Sequence, residues 1–543
     1  MIVNKFLHLS ARTRLVACAT AFVLMASAWA QSPAPAPNAP APASKVPVTQ
    51  LYQHHCAACH GEQRLGGMGP ALLPESLARL RKPEALAVIR DGRAATQMAG
   101  FGAQLSEAEL KALGEWIYTP VSPAPRWSDA DITASRVETA GWKTWPAEPQ
   151  WQADPMNLFI VVEGGDHHVS LLDGDKFEVI HRFPSRFALH GGPKFTPDGR
   201  YVYFGSRDGW ITKFDLWNLK TVVEVRAGIN MRNIAVSGDG QWVMAANYLP
   251  HTLALFDADL KLVKTYETRT QDGASTSRVS AVYDAEPRKS FVVALKDIAE
   301  IWEISYDPKS PPIYDGFVHD YKMAEGLPKD GFLGVRRTPL AEPLDDFFFS
   351  PNYAYALGAS RPHADGSPSG QVVNLDARRK IATLPIAGMP HLGSGITFEH
   401  AGRRVIASPN LKDGRISVID MQTWQLVKDI DTPGPGFFMR SHEATPYAWV
   451  DSMMSPKSKD TLTILDKRTL TPVAQVQEPG KTLAHIEFTK DGRYALASVW
   501  EEEGALIVYD AATFKEVKRL PMKKPVGTYN VFNKITRSEG TSH

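Results

Sequence analysis

One short pattern recurs along most of this chain and restricts the fold it can adopt. From about residue 150 onward, a turn such as Pro-Asp-Gly-Arg is followed by an apolar strand, a polar turn, a second strand ending near Asp, and a third strand. Clear copies begin at Pro197, Gly238, His400 and Lys490, and weaker copies occupy residues 158–177, 286–306, 349–379 and 443–470. These copies make eight units, spaced mostly by about 40–50 residues, which is the period of β-propeller blades.

The repeat predicts an all-β, eight-bladed β-propeller over residues 127–543. A tandem of β-sandwiches is the alternative, but sandwiches do not repeat their turn chemistry at so constant a period. The segment over residues 529–535 follows the last copy and reads as a further strand. We expect this strand to complete the first sheet and to join the two ends of the propeller.

Composition excludes several classes of protein. Lys and Arg total 60 while Asp and Glu total 59, so the net charge of +1 lacks the basic excess that nucleic-acid binding requires. We therefore expect no nucleic-acid partner. Three Cys in 543 residues also exclude a disulfide framework.

The first thirty residues have the three-part order of a secretory signal peptide. Basic residues precede an apolar run over residues 15–24, and Ala28-Trp29-Ala30 supplies a small-residue cleavage site. An uncleaved membrane anchor is the alternative, but the run is short for a bilayer. We predict a signal peptide over residues 1–30, a Pro/Ala-rich linker over 31–44, a periplasmic location and no membrane span after cleavage.

The sequence contains a heme attachment motif. Cys56-Ala57-Ala58-Cys59-His60 is Cys-x-x-Cys-His, in which two thiols bond covalently to heme c and the imidazole becomes an iron ligand. A redox dithiol would normally lie in a βαβ pattern, and a zinc site would need further ligands. Cys56 and Cys59 are therefore predicted to hold heme c, with His60 on its iron.

Two methionines compete for the other side of the heme c iron. Met68 lies only eight residues after His60, in a Gly-Pro turn, whereas Met98 lies in a loop between helical segments at 83–91 and 106–118. A loop opposite the attachment helix can reach the second face, so we favour Met98. Residues 45–120 resemble an all-α class I cytochrome c domain.

Four histidines occupy similar places in the repeat. His190, His391, His442 and His485 are each expected just before the innermost strand of a different blade. A single His is usually a structural residue, but four in equivalent places would converge on the propeller axis and form a metal or cofactor site. Arg186, Arg232, Arg278 and Lys296 lie near the same rim and suit ligand carboxylates, or else are solvated surface charges.

A cytochrome c joined to an eight-bladed propeller with axial histidines resembles the cytochrome family whose propeller holds heme d1. The resemblance covers nearly all of the mature chain. It is carried by Phe187–His190 with the hairpin over 199–217, Asn230–Arg232, Arg278 with Lys296, Pro390–Gly395, Ser498–Trp500 and Gly527–Asn533. It implies that His190 is the counterpart of the iron ligand and that His391 lies in the segment that supplies a distal His. We expect His391 to ligate the heme d1 iron, with His190 as a second ligand or a pocket residue, and His442 and the four rim cations to line the tetrapyrrole pocket.

The chain departs from the nitrite reductases of this family. Those enzymes need two distal His, and one of them should fall near residues 343–346, where this chain has Pro-Leu-Asp-Asp. Glu163 stands where they have an Arg, and His485 stands in a blade where they lack a His. Nitrite reduction is therefore disfavoured.

The remaining relatives act on the cofactor itself. The resemblance implies a dehydrogenase that oxidises the propionate of dihydro-heme d1 to the acrylate of heme d1, the last step of heme d1 biosynthesis. Electrons would pass to heme c and then to an external acceptor, while His485 and Tyr529 handle the protons. The tetrapyrrole substrate, the electron acceptor, nitrite reductase and other heme d1 assembly proteins are the expected partners. A nitrite reductase that produces nitric oxide and a non-enzymatic heme d1 carrier are the alternatives.

Overall fold

A computed structural model describes residues 46–67, 69–78, 80–93, 98–314, 328–360 and 363–537. The predicted signal peptide, the Pro/Ala-rich linker and Met68 lie outside these residues. All of the described residues belong to one compact unit. Among these residues we find no helix that has the length and hydropathy of a transmembrane span.

Short helices form the N-terminal part, as the resemblance to a class I cytochrome c domain implies. They span Val48–His55, Ala57–His60, Lys82–Asp91 and Glu107–Trp116. Ser106 caps the last of them by accepting a hydrogen bond from the Glu109 amide, while the Glu109 carboxylate accepts one from the Ser106 amide, so the predicted capping box is present. Leu51, Tyr52, Leu110 and Leu113 pack between the helices as a small core.

Eight antiparallel sheets follow, and the predicted eight-bladed propeller is confirmed. We number the blades in chain order and give the strands of each from the inside outward. Blade 1 has Pro525–Asn530, Leu158–Glu163, His168–Asp173 and Glu178–Pro184; blade 2 has Lys194–Phe195, Tyr201–Gly205, Trp210–Asp215, Lys220–Arg226 and Val137–Glu138; blade 3 has Asn230–Val236, Trp242–Leu249, Thr252–Asp257 and Leu262–Glu267; blade 4 has Val279–Ala285, Ser290–Leu295, Glu300–Ser305 and Val335–Pro339.

The second half continues the same order. Blade 5 has Asp346–Phe349, Tyr355–Ala359, Gly370–Asn374 and Arg379–Leu384; blade 6 has Ile396–His400, Arg403–Pro409, Arg415–Asp420 and Leu426–Asp431; blade 7 has Met439–Ser441, Tyr447–Asp451, Thr461–Asp466 and Thr471–Gln477; blade 8 has Leu483–Phe488, Tyr494–Val499, Gly504–Asp510 and Glu516–Met522. The cores lie between neighbouring blades, for example where Ile464 and Trp449 of blade 7 pack with Ile486 and Ile507 of blade 8.

The last strand closes the propeller, as predicted, but its bounds differ from the prediction. Pro525–Asn530 forms the innermost strand of blade 1, where Tyr529 pairs with Ile160. The stretch predicted as a strand over 529–535 turns at Asn530, whose side chain accepts a hydrogen bond from the Asn533 amide and caps a helix over Val531–Thr536. The apolar residues of that helix alternate irregularly, so the sequence pattern did not distinguish it from a strand.

Further short helices lie in the connections before and between the strands of the propeller. They span Asp129–Ala134, and, as 3-10 turns, Trp142–Thr144, Pro155–Asn157, Glu286–Arg288 and Leu392–Ser394.

The helical part packs on the propeller between blades 2 and 3. Ala71 and Leu73 form a buried cluster with Ile229, which precedes blade 3. The Arg226 guanidinium, which is 5% exposed, donates a hydrogen bond to the Leu65 carbonyl at 2.5 Å. The loop after the heme attachment motif is therefore fixed to the rim of the propeller.

Candidate heme sites

The attachment motif has the local geometry that heme c requires. Cys56 and Cys59 lie three residues apart where one turn of helix begins, are not joined by a disulfide, and are partly exposed. The His60 imidazole is buried, and its Nδ1 donates a hydrogen bond to the Pro70 carbonyl at 2.8 Å. Because that bond fixes the proton on Nδ1, the Nε2 lone pair is left for a metal. Burial also lowers the pKa of His60, which favours the neutral, ligating form.

A glycine makes this orientation possible. A Cβ on Gly69 would lie 2.8 Å from Cε1 and 3.0 Å from Nδ1 of His60, closer than side chains approach. The Gly69-Pro70 turn therefore packs flat against the imidazole ring and holds it in place. These residues fit a covalent heme with His60 as its proximal ligand.

The loop that carries Met98 is built by close backbone contacts. Gly92, at φ +78, ends the helix over Lys82–Asp91 and approaches the Met98 carbonyl, and the Arg93 amide donates to that carbonyl at 3.0 Å. Met98 is half-buried, next to the loop residue Phe101, whose ring contacts His55 edge-on at 5.6 Å. Met98 remains the predicted second ligand of the heme c iron.

In the propeller, His190 lies at the end of the channel where the innermost strands begin. Its Nδ1 donates to the Arg232 carbonyl at 2.7 Å, and its Nε2 accepts from the Arg232 guanidinium at 2.8 Å. The loop that presents it has left-handed backbone at Ala188, Gly191 and Gly192. Gly191 approaches Asn233, where a Cβ would lie 2.6 Å from the Asn233 Cβ.

His391 has the same pattern on the opposite side of the channel. Its Nδ1 donates to the Phe437 carbonyl at 2.8 Å, and burial lowers its pKa. His391 precedes the innermost strand of blade 6, as predicted. His60, His190 and His391 thus each carry their proton on Nδ1, which leaves Nε2 as the ligating atom.

His485 differs from these three histidines in its protonation. Its Nδ1 accepts a hydrogen bond from the Thr528 amide at 3.2 Å, so a neutral imidazole carries its proton on Nε2. His485 lies within the innermost strand of blade 8, at a β-bulge with φ +53, and is 1% exposed. A non-glycine residue in this backbone region is strained and is typical of functional sites. Burial, with Arg440 and Lys534 nearby, holds the pKa of His485 well below its usual range.

Tyr529 stands beside His485. Their rings meet edge-on with centroids 5.0 Å apart. The phenol ring lies back over Gly527, where a Cβ would come within 2.6 Å of Oη, and against Gly192, where a Cβ would come within 3.1 Å of the ring. Burial raises the pKa of Tyr529 to about 12, so its hydroxyl is protonated at neutral pH.

These side chains form a ring around the channel to which all eight blades contribute. In order of blades it contains Tyr529, His190, Arg232, Tyr283, Asp346, His391, Phe438 and His485. Contacts link the members: Tyr283 Oη donates to Asp346 at 2.7 Å, and the Phe438 ring lies 4.5 Å from that of His485. Gly393, beside His391, approaches Asp346, where a Cβ would lie 2.4 Å from its carboxylate.

The prediction that four histidines precede their innermost strands is wrong for two of them. His485 lies within its strand, and His442 follows the strand Met439–Ser441. Because the innermost strands all run in one direction, His442 lies at the opposite end from His190 and His391. It packs in the turn beside Gly492, where its Nδ1 accepts from the Ala444 amide at 3.1 Å. The structure therefore leaves His442 out of the ring.

Three of the predicted rim cations are held in ion pairs. Arg186 pairs with Glu224 at 2.5 Å, Arg278 with Asp297 at 2.6 Å, and Lys296 with Asp345 at 2.6 Å. To bind a ligand carboxylate, each of these cations would have to break its ion pair with the protein carboxylate. Arg232, in contrast, belongs to the ring itself.

Arg440 is a site residue that sequence reasoning missed. It lies on the innermost strand of blade 7, is 3% exposed, and donates from Nη1 to the Met439 carbonyl at 2.7 Å. Its buried Nε has no hydrogen-bond partner in the described part of the chain. Its charge lowers the pKa of both His391 and His485, which locates it beside the ring. A buried guanidinium with an unused donor is suited to an anionic ligand. The Arg-Ser-His sequence around it gives no signal of this position.

The arrangement supports metal binding and proton transfer. Two histidines with Nε2 lone pairs at one end of the channel can hold a metallated cofactor, and a His–Tyr pair that can transfer protons lies next to them with a buried Arg. The heme of the attached cytochrome can accept electrons. Together these features define a redox protein that binds a tetrapyrrole in its propeller.

Comparison with known families agrees with this class. Residues 153–322 and 329–534 match the family model "Cytochrome D1 heme domain", and residues 46–117 match "Cytochrome C oxidase, cbb3-type, subunit III". The chain belongs to the cytochrome D1 heme domain family, and it combines that domain with a cytochrome c domain.

Among individual proteins, the chain is 54% identical to the dihydro-heme d1 dehydrogenase of Pseudomonas aeruginosa, over 92% of this chain and 96% of that protein. A solved structure described as dihydro-heme d1 dehydrogenase NirN in complex with DHE matches with a TM-score of 0.83 and 53% identity, covering 90% of this chain and 100% of that one. The nitrite reductase of Stutzerimonas stutzeri is 25% identical over 89% of this chain and 92% of that protein.

Proposed function

We propose that this chain is a dihydro-heme d1 dehydrogenase, an oxidoreductase that converts the propionate side chain of dihydro-heme d1 to the acrylate of heme d1. The observation that carries the proposal is the ring. It contains two histidines that are protonated on Nδ1, His190 and His391, and a third, His485, that is protonated on Nε2 and contacts a tyrosine. The chain is also 54% identical to a dehydrogenase of this name.

His190 and His391 would hold the iron of the substrate. The hydrogen bonds from Nδ1 to backbone carbonyls fix both rings and increase the basicity of Nε2. In the structure, the Arg232 guanidinium donates to Nε2 of His190, so it would have to move aside when the iron binds. Arg232 then becomes available for a carboxylate of the tetrapyrrole.

Arg440 is proposed to bind the carboxylate of the side chain that is oxidised. Its unused Nε donor lies next to His485 and Tyr529, and binding an anion there would compensate the buried charge. The contact would also orient the two adjacent methylene groups toward the tyrosine.

Converting –CH2–CH2–COO⁻ to –CH=CH–COO⁻ releases two protons and two electrons. His485 and Tyr529 are proposed to handle the protons. Because burial keeps the Tyr529 hydroxyl protonated, Tyr529 acts as a relay that gives up its own proton as it takes one from the substrate. It carries the larger share, because burial and the nearby cations make the His485 imidazole a weak base. His485 contacts the ring of Tyr529 edge-on and so also positions it.

Heme c, held by Cys56, Cys59 and His60 with Met98 as the second ligand, supplies a one-electron acceptor when it is bound. Because the substrate gives up two electrons, an external acceptor must reoxidise the cytochrome c domain during each turnover. We place the protein in the periplasm, where c-type hemes are attached, with nitrite reductase and heme d1 assembly proteins as partners that receive or deliver the tetrapyrrole.

The alternative of nitrite reduction has less support. Asp346 lies in the segment where a second distal His is required, and its carboxylate accepts a hydrogen bond from the Tyr283 hydroxyl. Glu163, at the position of the expected Arg, is bound to Arg182 at 2.9 Å and to Ser170 at 2.6 Å. The nitrite reductase relative is also more distant, at 25% identity.

A direct experiment is to incubate the holoprotein with dihydro-heme d1 and an oxidant and to follow the tetrapyrrole by mass. We expect a loss of two hydrogens. Nitric oxide release from the reduced protein fed with nitrite, without this mass change, would refute the proposal. The double variant Cys56→Ser/Cys59→Ser distinguishes a carrier, because a carrier would keep binding heme d1 with unchanged function whereas the dehydrogenase should lose turnover.

A further inference from the structure

A cavity of about 480 Å³ lies at the far end of the propeller channel. Its walls come from the turns that follow the innermost strands, at Pro197, Gly238 and Pro351, so it is at the end away from His190 and His391. The helix over Val531–Thr536 covers it. Lys194, Tyr283, Asp284, Asn533 and Lys534 contribute its polar lining.

Lys534 connects this cavity to the reaction site. Its helix begins directly after the closing strand that carries Tyr529, and its Nζ lies over the face of the Tyr529 ring, 5.4 Å from the centroid. The same side chain lines the cavity. Lys534 therefore contacts both Tyr529, the proposed proton-handling tyrosine, and the cavity.

The charges around Lys534 favour an amine that can accept a proton. Burial, then Arg440, hold its pKa well below the usual range for lysine, and Glu487 opposes them in part. The titratable groups that face it are His485 and Glu487 of blade 8, Arg440 of blade 7, Lys194 of blade 2 and Tyr529 of blade 1.

The region around Lys534 is also suited to hold water. Asn533 donates to the Glu487 carboxylate at 3.1 Å, yet Oδ1 of Asn533 and Oε2 of Glu487 are buried without a hydrogen-bond partner within the described residues. Unsatisfied buried oxygens beside a roomy polar cavity are where internal water binds. Further along, Asp284 bridges Tyr306 and Arg537, each at 2.7 Å, where the cavity meets the surface.

We propose that Lys534 receives the protons released at Tyr529 and His485 and passes them to water in this cavity, from which they leave on the face covered by the C-terminal helix. This inference rests on the proposed dehydrogenase function. For each proton, an O–H bond of Tyr529 or an N–H bond of His485 breaks as an N–H bond forms on the lysine amine. A substrate C–H bond breaks and its proton restores the O–H or N–H bond, and the resulting ammonium gives its proton to water. The two electrons leave separately, through heme c to the external acceptor.

The test compares the holoprotein with Lys534→Met in single turnovers of dihydro-heme d1. We expect the rate to fall at least about tenfold, with a changed solvent deuterium isotope effect, while the absorption change on tetrapyrrole binding stays the same. In the wild type, the rate should decrease as the pH falls through the pKa of the amine, because the ammonium cannot accept a proton. That limb should be absent from the variant.

Lys490→Met is the matched control. Lys490 contacts the same helix from outside, with Nζ 5.6 Å from the Phe532 ring centroid, and pairs with Asp154 at 2.9 Å. We expect it to keep the wild-type rate and isotope effect. Lys534→Arg keeps a side chain of similar length but is a permanent cation that can neither accept nor release a proton, so it should be as slow as the Met variant. Methylamine should restore turnover to Lys534→Ala, since the cavity has room for it.

The outcomes separate the two proposals. Wild-type protein that leaves dihydro-heme d1 unchanged refutes the dehydrogenase function. Wild-type protein that forms heme d1, together with Lys534→Met and Lys534→Arg that turn over at the wild-type rate with the same isotope effect, overturns the role of Lys534 alone. If Lys534→Met does not fold, the Arg variant and the methylamine rescue decide the question in the same way.

Discussion

Replacing Tyr529 with Phe removes a single oxygen from the reaction site. The ring should stay in place, because its contacts to Gly192 and to His485 are made by carbon atoms. Its hydroxyl forms no hydrogen bond to another residue in the described part of the chain, so folding should lose less than about 1 kcal/mol. The substitution is therefore close to a pure test of proton handling.

The expected effect on catalysis is much larger than the effect on stability. A group that moves a proton in the transition state contributes about 10²–10⁴-fold to the rate. Loss of the Tyr529 hydroxyl should reduce the dehydrogenation rate by that factor, which corresponds to about 3–5 kcal/mol of added barrier. Substrate binding should change little, because Arg440 and the two iron-binding histidines remain.

The measurement is a single turnover of dihydro-heme d1 by the holoprotein, followed by mass and by absorption. Tyr494→Phe is the matched control, since Tyr494 lies in blade 8 away from the channel and packs edge-on against Phe177. We expect it to react at the wild-type rate. If Tyr529→Phe also reacts within about twofold of wild type, far less than the loss expected of a proton-transfer group, the assignment of Tyr529 is refuted.

Three further substitutions test other parts of the site. His485→Ala should slow turnover less than Tyr529→Phe does and should leave the tetrapyrrole bound, because the pKa of this imidazole is held well below neutrality; an equal or greater loss would contradict that ranking. Arg440→Met should raise KM for dihydro-heme d1 about 10- to 100-fold through loss of a charged hydrogen bond, without unfolding the protein, and an unchanged KM in a titration would exclude the carboxylate contact. Gly69→Ala should displace His60, since the new Cβ would lie 2.8 Å from Cε1, and so alter the heme c spectrum and shift its midpoint potential. Gly114→Ala, whose Cβ would make ordinary contacts at 3.7 Å, should leave both unchanged.

Much of the fold follows from local sequence signals. Turns such as Pro197-Asp198-Gly199 set the strands on either side of them, and each predicted strand ending near Asp, for example at Asp215 or Asp420, is present as the third strand of a blade. The closing strand was recognisable because it lacks partners of its own. Its boundary was not, because Asn530 caps a helix through a contact that only the folded turn provides.

The sequence by itself determined the chemistry of sites whose residues lie close together along the chain. Two thiols and an imidazole in Cys-x-x-Cys-His are brought together by one turn of helix, and the eightfold repeat requires a ring of blades whatever its loops contain. Tertiary structure alone decided what each channel residue can do. The Nδ1 partner of His190 comes from residue 232 and that of His485 from residue 528, so the ring nitrogen that carries the proton depends on blades that meet only when the propeller closes. The same closure buries Arg440 beside Tyr529 and extends Lys534 into the cavity, because both positions are defined by neighbours from other blades rather than by their own sequence.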